Sequence, residues 1–224
     1  MAPSRPAATA ARGALAASAL LSFAVHAVPL TAEELTKLCT NAEDTAHCAR
    51  LVEDVQLRRL PNLALREGTA LKVSLYPSGA ATYADTEALN GGRSYSLWDY
   101  ISEINAVVLY VTDGDDVTFL LLQRATGRTS ELPSDPKLSP DRLRLVTADF
   151  CDGHCTNEFA VWRLTRDGAR KELSWKPREA WSDAVATWTS SANIAIEYTA
   201  VGAQTRSKLE RRLTDVDWVP AATR

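Results

Sequence analysis

Seven residues concentrate the ligand and redox chemistry of this chain: Asp149-Phe150-Cys151-Asp152-Gly153-His154-Cys155. A thiolate and imidazole set such as Cys151, His154 and Cys155 suits zinc or copper. The spacing argues the other way. One CxxxC with one histidine lacks the second ligand pair of a zinc site, and it is not the CxxCH of haem attachment. In an oxidising compartment the two cysteines read instead as a small disulfide that rigidifies a hairpin tip. We adopt that reading, with metal binding by Cys151, His154 and Cys155, or a redox role, as the alternatives. No cofactor is expected.

Histidine scarcity constrains nucleophilic catalysis. Of three histidines, His26 falls in a segment expected to be removed, so a Ser-His-Asp or Cys-His device would have to use His47 or His154. Neither lies in a nucleophile motif, and the chain contains no G-x-S-x-G, H-E-x-x-H or G-x-x-x-x-G-K-[ST]. Carboxylate pairs remain available, as in glycoside hydrolysis. Asp113, Asp115 and Asp116 cluster around Gly114, where the expected role is solvated turn chemistry, with a calcium site as the alternative. Trp162 and Trp188 read as core. Trp175 and Trp181 read as the candidate binding residues, an exposed aromatic platform for a glycan or peptide.

The compartment follows from the first residues. Arg5 and Arg12 precede an apolar run, Leu15 to Val25, and Val25-His26-Ala27 places small residues at −3 and −1 of a cut after Ala27. That pattern predicts a signal peptide over 1–27. Eleven apolar residues in a helix cover only about half of a bilayer core. A periplasmic or secreted address with no membrane span after cleavage is therefore expected. Removing Arg5 and Arg12 takes the formal charge from −3 to −5, and no basic run suggests a nucleic-acid partner. Four cysteines fall into two close pairs, Cys39 with Cys48 and Cys151 with Cys155, and local disulfides require the least chain closure.

Two short helices are predicted within 28–62. Thr31-x-x-Glu34 is a capping box flanked by Leu30 and Leu35. Cys48, Leu51, Val52 and Val55 follow a helical period, and Pro61 stops it. A Cys39–Cys48 bond would tie them into an α-hairpin cap. From 63 to 224 the pattern is that of strands. Leu71, Val73 and Leu75 alternate with polar residues, and Asp113-Gly114-Asp115-Asp116 reads as a hairpin turn. Phe119–Gln123, Thr126-Gly127, Glu131-Leu132 and Pro136 are echoed by Phe159–Arg163, Asp167-Gly168, Glu172-Leu173 and Pro177. Four of these positions match at an offset of 41 residues. A period near 40 with strand content belongs to β-meander arrays such as propeller blades.

Thr126-Gly127, Leu132-Pro133, Pro136 and Ser139-Pro140-Asp141 resemble the "TG…LP…P…SPD" blade signature of TolB-like propeller repeats. That resemblance implies a propeller-type architecture over about 80 residues. Cys39-x-x-Ala42 with Cys48-x-x-Leu51-x-x-Asp54 loosely resembles the cysteine-bearing helices of LprI-like lysozyme inhibitors, which would imply an inhibitory partner contact. The 155 residues from Ala70 to Arg224 fall short of four periods of 41, and closed propellers have four to eight blades. The expected fold is therefore mainly β: a propeller-like or meander stack of about three hairpin units with a short N-terminal α-hairpin cap that covers an open edge. The expected function is a non-catalytic binding or accessory protein of the cell envelope, with an envelope protein, peptide or glycan as partner. A cell-wall hydrolase using carboxylates and a lysozyme-inhibitor-like protein are the alternatives.

Overall fold

Capping chemistry starts the described chain. The computed structural model describes residues 30–87, 92–114, 116–151 and 153–221. The expected signal at 1–27 lies outside them. Helix α1 (Ala32–Cys39) opens with the predicted capping box: Thr31 Oγ1 accepts from Glu34 N, and the Glu34 carboxylate accepts from Thr31 N at 2.8 Å. Helix α2 (Thr45–Arg59) is capped by Asp44, whose Oδ1 accepts from His47 N at 2.7 Å. The Cys39–Cys48 disulfide joins the two helices, and the Cys151–Cys155 disulfide is also formed. Among the described residues, no helix is long and apolar enough to cross a membrane.

Fifteen strands follow among the described residues. β1 (Ala64–Glu67), β2 (Ala70–Ser74) and β3 (Ala80–Ala84) form the first sheet. β4 (Arg93–Ile101), β5 (Ala106–Asp113), β6 (Asp116–Gln123) and β7 (Arg128–Leu132) form the second. β8 (Lys137–Leu138), β9 (Arg144–Asp149), β10 (Glu158–Thr165) and β11 (Gly168–Trp175) form most of the third. β12 (Trp181–Trp188), β13 (Asn193–Ala200) and β14 (Ser207–Arg212) form the fourth. Among the described residues every pairing is antiparallel and joins sequence neighbours, save that β15 (Val219–Pro220) returns from the fourth sheet to pair with β11 in the third. The sequence suggests 208–219 as a strand closing the sheet. Instead its first part, β14, extends the fourth sheet, and its end straps that sheet to the third.

Period-two alternation stacks the sheets. On β5, Val107, Leu109 and Val111 join the core with the first sheet, while Ala106 and Val108 join the core with the third. Leu71 and Val73 close the first core from β2, as their spacing predicts. On the third sheet, Leu145 and Trp162 face the second sheet, whereas Val146, Phe159 and Val161 face the fourth. A strand buried on both faces must carry apolar residues at both phases, which accounts for the unbroken run Ala106–Val111. The result is a mainly β chain of four consecutive antiparallel sheets, with three apolar layers between them and the helices at the N-terminal end.

The 41-residue offset has a structural counterpart. Gln123 pairs with Arg128 and Leu122 with Thr129 across the β6–β7 tip. Leu164 pairs with Ala169 and Arg163 with Arg170 across the β10–β11 tip. Gly127 and Gly168 both take positive φ at these tips, +69° and +127°. The two tips also touch: Gln123 Nε2 donates to Thr165 O at 2.7 Å, and Ala169 N donates to Ser130 Oγ at 2.8 Å.

Helix α2 lies along β4, the open edge of the second sheet. Its buried face is Ala49, Val52, Glu53 and Gln56, rotated from the predicted Cys48, Leu51, Val52 and Val55. The edge explains the polar content. Glu53 Oε2 accepts from Leu97 N at 2.8 Å, Gln56 Nε2 donates to Trp98 O at 2.8 Å, and Arg50 Nη1 donates to Tyr95 O at 2.8 Å. From the loop after β3, Asp85 Oδ1 accepts from Tyr95 N at 2.9 Å. Unpaired edge groups would otherwise invite another strand.

Candidate functional site

A break in strand register shapes one of the clefts. Leu97 pairs with Leu109 and Asp99 with Val108, so Trp98 is an extra residue on β4. Such a bulge kinks a strand and re-aims the side chains that follow it. Gln56 from α2 holds the Trp98 carbonyl, and the Trp98 ring is fixed against Tyr110 and Phe119 at 5.0 and 5.8 Å between centroids. Asp99 thereby reaches a cleft of about 510 Å³ between the end of β4, the bend 136–142 and the end of β12.

Each wall is held independently. Tyr100 N donates to Asp99 Oδ1 at 2.8 Å, and Asp99 Oδ2 makes no hydrogen bond among the described residues. Trp188, at the end of β12, donates its indole Nε1–H to the Lys137 carbonyl at 2.9 Å, which sets the angle of the aromatic wall. The lip is the turn Ser139-Pro140-Asp141-Arg142. Arg142 N donates to Ser139 O at 2.9 Å, Ser139 Oγ donates to Asp141 Oδ1 at 2.6 Å, and Leu143 N donates to the same oxygen at 3.1 Å. Arg142 closes this turn at φ +62°, a left-handed conformation that glycine adopts more readily.

The charges divide unevenly. Lys137 Nζ is paired with the Asp135 carboxylate. Glu103 is exposed at the rim and accepts only from Ser102 Oγ. The exposed Arg142 guanidinium makes no ion pair among the described residues. Burial pushes the Asp99 carboxyl above the ordinary aspartate range. The Tyr100 amide bond and Lys137 pull it down, and Asp135 and Glu103 add to the rise. Asp141 moves the other way, held low chiefly by the Ser139 hydroxyl.

The loop that opened the sequence reading lines a second cleft of about 530 Å³, between the start of β6, Pro133-Ser134 and the end of β9. Asp149 is buried and accepts from Thr156 N at 2.8 Å and Thr156 Oγ1 at 2.6 Å, closing the loop. Cys151 and Cys155 are spent in their disulfide, so neither offers a thiolate. The alternative metal site of Cys151, His154 and Cys155 is thereby corrected, and no cluster of three ligand residues occurs among the described residues. His154 is exposed on the wall. Ser134 Oγ, in the same cleft, is buried without a hydrogen-bond partner, so it is not joined to His154 as nucleophile to base.

Trp175 and Trp181 do not form an exposed platform. Trp181 begins β12 rather than sitting in the preceding bend, and it is 2% exposed. Its ring stacks on Tyr198 at 3.7 Å and packs against Phe150, Phe159 and Trp175. Trp175 is half-buried, covered by the Arg211 guanidinium 4.2 Å above its ring, and donates Nε1–H to Asp217 at 3.0 Å. Arg211 comes from β14, and Asp217 from the strap that brings β15 back. At the β5–β6 turn, Asp113 pairs with Asp116, and Gly114 has φ +62°, as the Asp-Gly turn predicts. Asp115 lies outside the described residues.

Sequence reading missed Asp99, Arg142 and the exposed aspect of Trp188. The Ser139-Pro140-Asp141 turn was a visible signal for the lip. Nothing local marks Asp99, because the bulge that aims it depends on β5 and α2. No family model, curated protein or solved structure matches this chain.

Proposed function

We propose that this is a non-catalytic recognition protein of the cell envelope, periplasmic or secreted, which holds a peptide or glycan in the Asp99 cleft. The carrying observation is the pairing of a bulge-aimed carboxyl with one free oxygen and a hydrogen-bonded indole wall at Trp188. A mostly apolar concavity with a few fixed polar groups is what small-ligand sites use, and about 510 Å³ lies within their usual range of roughly 300–1,000 Å³. Two disulfides fit an oxidising compartment. The test is a thermal-shift and calorimetric screen of envelope peptides and glycans. Binding that Asp99→Asn and Trp188→Ala each weaken supports the cleft; a ligand indifferent to both places recognition elsewhere.

A second reading is favoured by one observation. Asp99 has a carboxyl raised by burial and shares its cleft with the Glu103 carboxylate, the two kinds of group a general acid and its partner would use. That reading makes the protein a hydrolase of cell-wall material. Turnover of isolated cell-wall polymer that Asp99→Asn abolishes would establish it, and binding without turnover returns the protein to the first reading.

A further inference from the structure

The cleft carries both signs of charge, and Asp99 and Arg142 are the lining groups whose backbone is set by a bulge and by a tight turn. Asp99 is fixed through Tyr100 N and the bulge, with Oδ2 free. The backbone of Arg142 is set by the turn Ser139–Arg142, and its exposed guanidinium makes no ion pair among the described residues. Lys137 is neutralised by Asp135, so among the described residues lining the cleft Arg142 is the one unpaired cation. Guanidinium groups suit planar carboxylates through paired N–H donors. A carboxylate with a free oxygen suits an ammonium. In the same cleft, the Trp188 indole, Pro136 and Pro140 offer apolar surface.

The backbone at Arg142 strengthens this. A left-handed non-glycine residue costs stability, and such strain persists where the surroundings hold it. Glycine at this position would satisfy the turn at lower cost. The arginine brings a side chain to the lip that the turn itself does not require.

We infer that the ligand of this cleft is a zwitterion of the amino-acid class, a short peptide whose ammonium meets Asp99 and whose carboxylate meets Arg142. This rests on the cleft being the binding site, and it narrows peptide or glycan to one chemistry. A neutral glycan would leave Arg142 without a partner, and a polyamine would be repelled by it.

The experiment titrates the full chain with four probes: dialanine, N-acetyl-dialanine, dialanine amide and a neutral disaccharide. Calorimetry gives affinity. The indole N–H resonance of Trp188, assigned with Trp188→Phe, reports the place. Dialanine is expected to bind and shift that resonance. Each cap is expected to weaken binding about tenfold, the loss of one charge-assisted hydrogen bond. Asp99→Asn should erase the effect of the N-acetyl cap, and Arg142→Gly the effect of the amide. Arg142→Gly favours the native backbone, so its loss of binding would not reflect unfolding. If the disaccharide shifts Trp188 and dialanine does not, the zwitterion is overturned while the cleft stands. Binding of dialanine that neither cap alters overturns it too, as does a Trp188 resonance that no probe moves.

Discussion

Glu53, in the middle of α2, gives one carboxylate oxygen to the backbone N–H of Leu97 on β4 and to Arg66 Nη2 at 2.8 and 2.7 Å. Its other oxygen accepts from Arg66 Nε at 2.8 Å and Arg50 Nη1 at 3.2 Å. Glu53 is 2% exposed. One side chain thus fastens the helix to the sheet edge and to β1. Glu53→Ala leaves the Leu97 amide without its acceptor and takes from Arg50 and Arg66 one of the two carboxylates they share, Asp85 remaining. Removing one partner of a buried pair costs about 3–5 kcal/mol, and the partial exposure of Arg50 and Arg66 favours the lower end. Urea unfolding is the measure. Glu53→Gln, which keeps an acceptor for Leu97, should lose less.

The two hairpin tips offer a paired test of the 41-residue correspondence. A Cβ on Gly168 would lie 2.3 Å from Ser130 Oγ, at a φ of +127° that L-residues avoid. A Cβ on Gly127 would meet only Leu75 Cδ1 at 3.6 Å, at φ +69°. Gly127→Ala should cost about 1 kcal/mol of left-handed strain. Gly168→Ala should cost about 2 kcal/mol or more, because strain and collision add. Placed in a Ser130→Ala background, Gly168→Ala should lose its collision component and keep its strain. Equal costs at the two glycines would show that the tips are not packed against each other.

Much of the architecture is written locally. The capping box at Thr31–Glu34, the Asp113-Gly114 turn and the phase of Leu71 and Val73 depend on neighbours a few residues away, and each appears where those neighbours put it. The cysteine pairs are close enough in sequence that alternatives cost more chain entropy. What escaped is non-local. The buried face of α2 carries Glu53 and Gln56 because β4 needs partners for its edge, and a hydrophobic period cannot express that need. Trp181 is covered by Tyr198 from the next strand, and Trp175 by Arg211 from β14 and Asp217 from the returning strap. Exposure of an aromatic residue is decided by what folds over it. Asp99 enters the cleft through a bulge defined only against β5.

Trp181 is accordingly a core residue, and its substitution measures that. Trp181→Ala removes a ring stacked 3.7 Å from Tyr198 and in contact with Phe150, Phe159 and Trp175. Large-to-small changes of buried aromatics cost about 3–5 kcal/mol. Near-ultraviolet circular dichroism should lose the coupled aromatic signal, and the thermal midpoint should fall. Trp188→Ala leaves that aromatic cluster intact and should cost less. On the proposed function, its effect is read in ligand affinity. A Trp181→Ala protein as stable as the parent would return this ring to the surface.

Asp99 and Glu172 should give stability opposite dependences on pH. The folded chain holds the Asp99 proton more tightly than the unfolded chain, because burial raises its carboxyl above the ordinary 3.8. Its contribution is therefore full below that value and lost as pH rises through the folded one. For Glu172, burial pushes the carboxyl up, but bonds from Arg144 and Arg163 outweigh it and hold the group below the ordinary 4.5. That contribution is full above 4.5 and lost as pH falls through the folded value. Urea unfolding from pH 3 to 7 separates them. Asp99→Asn keeps the acceptor for Tyr100 N, and its stability relative to the parent should rise with pH. The relative stability of Glu172→Gln should fall over the same range. A flat Asp99→Asn difference would mean that the carboxyl at the cleft is as well solvated in the folded chain as in the unfolded one.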